Sequence, residues 1–159
     1  MENKQQHPLF LGFSSQKGGV GKSTLAEIIS SILFYEKDVN LFVVDCDLSQ
    51  DSFYKLRERE KSVIQKSEEL SRSMEAYFQT FGKQAYRIYK SAPRDAVKTA
   101  SNHIERLHDE EFQVVVFDFP GHAGTSELME LSLQMDYILS PLEADIQSLV
   151  SCLAYAKTI

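Results

Sequence analysis

Residues 9–35 hold the pattern that most constrains this chain: a short apolar run, a glycine-rich loop and an amphipathic helix in direct succession. The run Leu9 to Phe13 is typical of a buried strand, and residues 25–35 place apolar side chains at helical spacing. Backbone N–H groups of such a loop, together with the helix N-terminus, form a concavity that suits a polyphosphate. The pattern therefore predicts a phosphate-binding strand, loop and helix. The loop reads Ser14-Ser15-Gln16-Lys17-Gly18-Gly19-Val20-Gly21-Lys22-Ser23-Thr24.

Two side chains of this loop carry the expected chemistry. Lys22 would reach the β- and γ-phosphate oxygens, and the Ser23 hydroxyl would ligate Mg²⁺. The general pattern Gly-x-x-x-x-Gly-Lys-Ser/Thr is not met, because Gln16 stands at the position of the first glycine. The alternative is a glycine-rich turn that joins a strand to a helix and binds nothing. Eight positions that match a narrower motif argue against that alternative.

The narrower motif runs from Lys17 to Thr24 and resembles the deviant Walker A motif of the ParA/MinD family, in which an extra lysine opens the loop. The resemblance implies that two protomers bind ATP face to face as a homodimer. Lys17 would then reach the phosphates of the other protomer, and Lys22 those of its own. The residues implied to bind the nucleotide are Gly18, Gly19, Val20, Gly21, Lys22, Ser23 and Thr24.

Acidic residues end two further apolar runs. Leu41 to Val44 is followed by Asp45-Cys46-Asp47, and Val114 to Phe117 by Asp118-Phe119-Pro120-Gly121. The carboxyl ends of parallel strands lie at one edge of a sheet, so these acids are expected beside the loop. The family resemblance places Asp45 and Asp118 with Ser23 around Mg²⁺ and gives Asp47 the task of orienting the attacking water. The alternative is that the acids cap strands and begin turns.

The chain departs from the family pattern at three places. Leu48-Ser49-Gln50-Asp51 stands where the family often has Asp-Pro-Gln-Gly, and Gly121 replaces the second of two prolines. Asp38 stands about where a glycine commonly ends the first helix, although aspartate adopts left-handed backbone less readily than glycine.

Residues 51–92 form a variable, helix-prone segment. Its charged part, 55–66, is expected to be a solvated helical face. An apolar stripe then follows at helical spacing and favours a crossover helix that packs on the sheet over a face that contacts DNA or a partner. After Pro93 a second stripe predicts another buried helix, whereas His103 and His108 are expected at the surface. The two stripes are Leu70, Met74, Tyr77, Phe78, Phe81 and Ala96, Val97, Ala100, Ile104, Leu107.

Composition narrows the class of protein. With 159 residues, the chain fits a single domain, 1–159. Its net charge of −6 argues against a surface that coats nucleic acid, and its lysines and arginines are interleaved with nearly as many acids, so DNA binding is expected to be weak. Two cysteines without metal-ligand spacing and no apolar stretch of about 20 residues predict a cytoplasmic protein without a membrane segment.

Together these features predict an α/β protein with the three-layer P-loop NTPase fold, a mostly parallel sheet with helices on both faces. It is expected to be C-terminally incomplete, since family members continue into the loop that reads the base, and so to discriminate weakly between bases. The expected activity is slow ATP hydrolysis with ATP and Mg²⁺ as cofactors. The expected role is an ATP-dependent homodimeric switch in DNA partition or conjugative-element maintenance, with non-specific DNA and a partition or activating protein as partners. Two alternatives remain: an ATP-dependent small-molecule synthetase, and a non-catalytic nucleotide-binding fragment.

Overall fold

A parallel sheet of five strands forms the centre of the molecule. The computed structural model describes residues 7–15, 18–49, 52–82, 84–121, 125–142, 144 and 146–157. The strand order is β3-β2-β4-β1-β5, and each neighbouring pair is parallel. This arrangement confirms the predicted fold class. The strands are β1 Leu9–Phe13, β2 Leu41–Asp45, β3 Ile88–Lys90, β4 Val114–Asp118 and β5 Tyr137–Leu139.

Helices connect the strands. The first helix continues into a π-helical segment, Ile32–Glu36, and a 3₁₀ turn, Pro93–Asp95, precedes the fourth helix. In the described part of the chain, no helix is long and apolar enough to cross a membrane. The α-helices are α1 Lys22–Ser31, α2 Ser52–Lys66, α3 Glu68–Phe81, α4 Ala96–Arg106, α5 Ser126–Ser132 and α6 Ile146–Ala156.

The core lies on both faces of the sheet, because successive strand residues point to opposite sides. On one face Phe13 and Val43 pack with Ala26 of α1 and Phe53 of α2. On the other face the neighbouring strand residues pack against α4 and α5. The prediction of helices on both faces is thus confirmed, and the second core contains Phe42, Val44, Phe117, Ala96, Ala100, Leu128 and Leu131.

The end of the first helix differs from the simple amphipathic helix expected over 25–35. The last turns are π-helical, and Asp38 then takes the left-handed conformation, with φ at 58°. Aspartate is one of the few residues besides glycine found in that region. Asp38 therefore makes the turn for which the family commonly uses glycine, and the chain returns to the sheet at Leu41.

The variable segment forms two helices, α2 and α3. Ser67 caps α3 by accepting a hydrogen bond from the Leu70 N–H at 3.3 Å. From the predicted apolar stripe, the rings of Tyr77 and Phe78 pack on Tyr35 of the π-helical segment, with centroids 5.9 and 6.1 Å from its ring. The aromatic part of the stripe thus packs within the molecule, whereas Leu70 is exposed.

Candidate functional site

The glycine-rich loop leads from β1 to the first turn of α1. Gly19 and Gly21 have φ angles of 80° and 81°, a region that glycine enters without strain, and Gly21 is the N-terminal cap of α1. Among the described atoms, none lies within 4 Å of a Cβ built on Gly18, Gly19 or Gly21. The loop therefore borders open space, and the unsatisfied N–H groups at the helix start give this space a positive potential.

A cavity of about 400 Å³ opens at this loop. That volume lies within the range of ligand pockets in proteins. Asp47, which follows β2, and Gly121, which follows β4, contribute to its wall. Strand ends and loop thus enclose one pocket, as the sequence predicted. The loop residues that line it are Gly18, Gly19, Gly21, Lys22, Ser23 and Thr24.

Lys22 forms the centre of a buried polar cluster. Its ammonium donates a hydrogen bond to Asp118 Oδ1 at 2.5 Å and lies 3.2 Å from Ser23 Oγ. Burial raises the pKa of Asp118, and the Lys22 charge opposes that rise. The structure therefore brings together three of the residues predicted for phosphate and Mg²⁺ binding.

One oxygen of the Asp118 carboxylate, Oδ2, is buried and has no hydrogen-bond partner among the described groups. Mg²⁺ prefers oxygen ligands and is commonly held by one or two carboxylates together with substrate phosphates. Asp118 and Ser23 fit that ion, although no cluster of three or more His, Cys, Asp or Glu that could hold a metal occurs in the described part of the chain.

Asp45 makes two hydrogen bonds to backbone. Its Oδ1 accepts from the Asp47 N–H and its Oδ2 from the Tyr54 N–H, each at 3.1 Å. Burial raises the pKa of Asp45 in spite of these bonds. Asp45 also lies opposite Asp118 in the parallel pairing of strands β2 and β4. It therefore ties the start of α2 to the end of β2, and its predicted place in the Mg²⁺ shell stays a prediction.

Asp47 is buried at the wall of the pocket, where its Oδ1 accepts a hydrogen bond from the Ser49 hydroxyl at 2.7 Å. This places a carboxylate beside the phosphate loop. Its role in orienting water stays a prediction. Two other loop residues are predicted to contact a nucleotide. Val20 is half-buried but does not line the pocket. Lys17 lies outside the residues that the structure describes.

Sequence reasoning missed the importance of Gly121. A Cβ built on this residue would lie 3.3 Å from the Gly18 Cα, so the strand-end loop packs closely against the phosphate loop. A larger residue here would press on the loop backbone. The available signal was the replacement of a family proline by glycine directly after the acidic motif.

Sequence reasoning also missed that one face of α2 borders the pocket. Residues 55–66 are predicted to form a solvated face, and Lys55 and Arg59 are exposed, but together with Leu56 they also line the pocket. Their place at the pocket was not predicted, because it depends on how α2 packs beside the strand ends. The available signal was the spacing of Lys55 and Arg59 by one helical turn, soon after the second acidic motif.

Comparisons with known proteins agree with this geometry. A family model described as ATPase MipZ matches residues 9–150. A search of curated proteins finds no match. A plasmid partition protein from Borrelia burgdorferi B31 (BB_S35), bound to AMPPNP, has 18% sequence identity and a TM-score of 0.62, with 96% of this chain and 70% of that chain covered. Chloroplast FtsY from Physcomitrella patens has 18% identity and a TM-score of 0.57, with 97% and 48% covered.

At such identities the structural matches establish the fold alone. The chain spans about half the length of FtsY and 70% of the Borrelia partition protein. The family model, in contrast, covers most of the chain, including both acidic motifs and the part of the loop that the structure describes. The predicted ParA/MinD type is confirmed, and the chain belongs to the MipZ family of ParA-like P-loop ATPases.

Proposed function

We propose that this chain is an ATP-driven molecular switch that binds ATP with Mg²⁺, hydrolyses it slowly and acts in DNA partition or conjugative-element maintenance. The observation that carries the proposal is the buried cluster of Lys22, Ser23 and Asp118 at the base of a glycine-lined pocket. Membership of the MipZ ATPase family supports it, as does a shared fold with a plasmid partition protein that binds AMPPNP.

Each polar residue has a separate task in this proposal. The loop N–H groups and Lys22 hold the phosphate oxygens, and Lys22 is then shared between phosphate and Asp118. Ser23, Asp45 and Asp118 would hold Mg²⁺, which would supply charge neutralisation on the β- and γ-phosphates. Asp47 accepts a hydrogen bond from a water molecule and aligns it for attack on the γ-phosphate.

The switch itself requires a second protomer. Lys17 of one chain would contact the phosphates bound by the other, so that the ATP state is a homodimer and the ADP state a monomer. Non-specific DNA and a partition or activating protein are the proposed partners of the dimer. A metabolic synthetase of the same fold would use the pocket without such a change in assembly.

The central test is turnover of Asp47→Ala. Side chains that position a reacting group for proton transfer typically contribute a factor of about 10² to 10⁴ to turnover. We expect the rate of phosphate release from ATP to fall by such a factor while ATP affinity changes little, because the proposed role of Asp47 is to position water rather than to bind phosphate. Phosphate release measures the turnover, and calorimetric titration measures the ATP affinity. Asp109→Ala is the matched control, since this acid is on the surface, remote from the pocket lining.

Two results would contradict the proposal. If the unmodified chain neither binds nor hydrolyses ATP in the presence of Mg²⁺, the pocket is not an ATPase site. If Asp47→Ala turns ATP over as fast as Asp109→Ala, then hydrolysis does not use Asp47.

A further inference from the structure

Helix α2 presents two cations to the pocket in addition to Lys22. Lys55 and Arg59 are one helical turn apart, and both line the cavity with Leu56 between them. We propose that Lys55 and Arg59 bind phosphate oxygens of a nucleoside di- or triphosphate held in this pocket. The inference rests on the nucleotide binding proposed above.

The position of α2 is fixed by its first turn. Phe53 is fully buried in the core, and the Tyr54 N–H donates to Asp45 Oδ2 at 3.1 Å. Asp45 in turn accepts from the N–H of Asp47, which lines the same pocket. A helix anchored at the rim of the site in this way holds Lys55 and Arg59 at the pocket wall.

The charges of α2 are divided between its faces. Glu58 pairs with Lys61 at 2.9 Å, and Glu60 lies 3.9 Å from Arg57, whose guanidinium stacks on Tyr86. By contrast, no described carboxylate lies within 4.0 Å of the charged atoms of Lys55 or Arg59. Their charges are therefore available to an anion in the pocket.

The pairing of Lys22 with an acid makes the positive charges of Lys55 and Arg59 useful to a bound anion. Lys22 is already paired with Asp118, and the Asp47 carboxylate lines the pocket, so the charge of Lys22 is partly neutralised before a ligand enters. A polyphosphate carries several negative charges, so cations at the wall would strengthen its binding in addition to the proposed Mg²⁺. Arg59 can bind two phosphate oxygens with its planar guanidinium, and Lys55 acts as a point charge.

The test is calorimetric titration of ATP, ADP and inorganic tripolyphosphate into the full chain, into three variants that each remove one charge, and into Arg59→Lys, which keeps it. Lys55→Gln and Arg59→Gln each remove one positive charge at the pocket, and Lys66→Gln removes the same charge from the last turn of α2, outside the lining. Hydrogen bonds to charged groups imply that each pocket variant weakens binding by about tenfold or more. We expect this loss for all three ligands, with Lys66→Gln unchanged and Arg59→Lys intermediate.

The outcomes separate this inference from the proposed function. If the unmodified chain binds ATP and both pocket variants bind like Lys66→Gln, the inference is wrong and the ATP site stands. If the variants weaken ATP and ADP but not tripolyphosphate, α2 contacts the nucleoside and the phosphate role is wrong. If the unmodified chain binds none of the ligands, the proposed function is wrong and this inference with it.

Discussion

At the scale of single residues, the pair Lys22 and Asp118 illustrates a conflict between folding and binding. Both side chains are buried, with 7% and 0% of their surface exposed, and each is the other's counter-ion. Taking two charges out of water is unfavourable, and their attraction offsets this only when the geometry is good. The pair is therefore weak evidence for stability, and its burial supports the phosphate and Mg²⁺ site proposed above.

A double-mutant cycle tests the pair. Removing one partner of a buried ion pair typically costs about 3 to 5 kcal/mol, because the other charge is left unpaired. We expect Lys22→Met to lower the free energy of unfolding toward this range and Lys22→Met/Asp118→Asn to regain part of the loss. Urea unfolding without nucleotide compares the unmodified chain, Lys22→Met, Asp118→Asn and the double variant. Additive effects of the two substitutions would show that the residues do not interact as the structure has them.

The residues found from sequence and those missed differ in a physical way. Lys22, Ser23 and Asp118 were predicted because their positions follow from a local loop motif and from a strand end. Lys55, Arg59 and the contact between Gly121 and Gly18 were not predicted, because they depend on how separate segments pack. A spacing pattern identifies one face of a helix but not what lies opposite that face.

At the scale of elements, the contact between α1 and α2 contains an unusual acid. Glu27 of α1 is buried, and its Oε1 has no hydrogen-bond partner among the described residues. Burial, and after it the nearby Glu60 of α2, raise its pKa to about 7, while Arg57 opposes the rise. Glu27 thus keeps its proton in the folded chain at pH values where an exposed glutamate has lost it.

This shift predicts how stability depends on pH. When the pH rises from about 4.5 to about 7, Glu27 ionises in the unfolded chain before it does in the folded chain. The unfolded state then binds fewer protons, so the free energy of unfolding falls, on the order of 2 kcal/mol for this group. We expect Glu27→Gln to remove most of that fall and to be more stable than the unmodified chain at pH 8. Urea unfolding between pH 5 and pH 8 is the measurement.

Glu105→Gln is the control for the pH series, because Glu105 is exposed on α4. Its free energy of unfolding should change with pH in the same way as that of the unmodified chain. If Glu27→Gln and Glu105→Gln show the same slope with pH, then Glu27 ionises normally in the folded protein and the assigned cause is wrong. Asp45 and Asp118 also have raised pKa values, and because both variants retain them their contribution cancels in the comparison.

The same element scale explains which helices could be predicted. The stripe from Ala96 to Leu107 lies against the sheet as its spacing indicated, because a helix between two parallel strands must bury one face. The π-helical end of the first helix and the left-handed Asp38 were not predictable in this way. Both accommodate the return of the chain to β2, which depends on the sheet rather than on the local sequence.

At the scale of the whole molecule, one edge of the sheet gathers all the candidate chemistry. The loop follows β1, Asp45 and Asp47 come at the end of β2, and Asp118 ends β4, three strands that are adjacent in the order β2-β4-β1. Parallel strands necessarily bring their carboxyl ends to one side, where ligands of open α/β sheets bind. The pocket is open there, so a second protomer could cover it.

The last prediction concerns that second protomer. Asp47→Ala should trap the ATP state, so analytical ultracentrifugation with ATP and Mg²⁺ is expected to give twice the monomer mass, and with ADP the monomer mass. Adding Lys17→Ala should abolish the dimer while calorimetric ATP affinity of the monomer persists, because Lys17 is proposed to act on the partner's phosphates. Lys37→Ala, at an exposed lysine just after the π-helical segment, is the control and should dimerise normally. If Lys17→Ala and Lys22→Ala lose nucleotide equally, then Lys17 binds phosphate within its own chain, and the switch cannot depend on its reaching the other protomer.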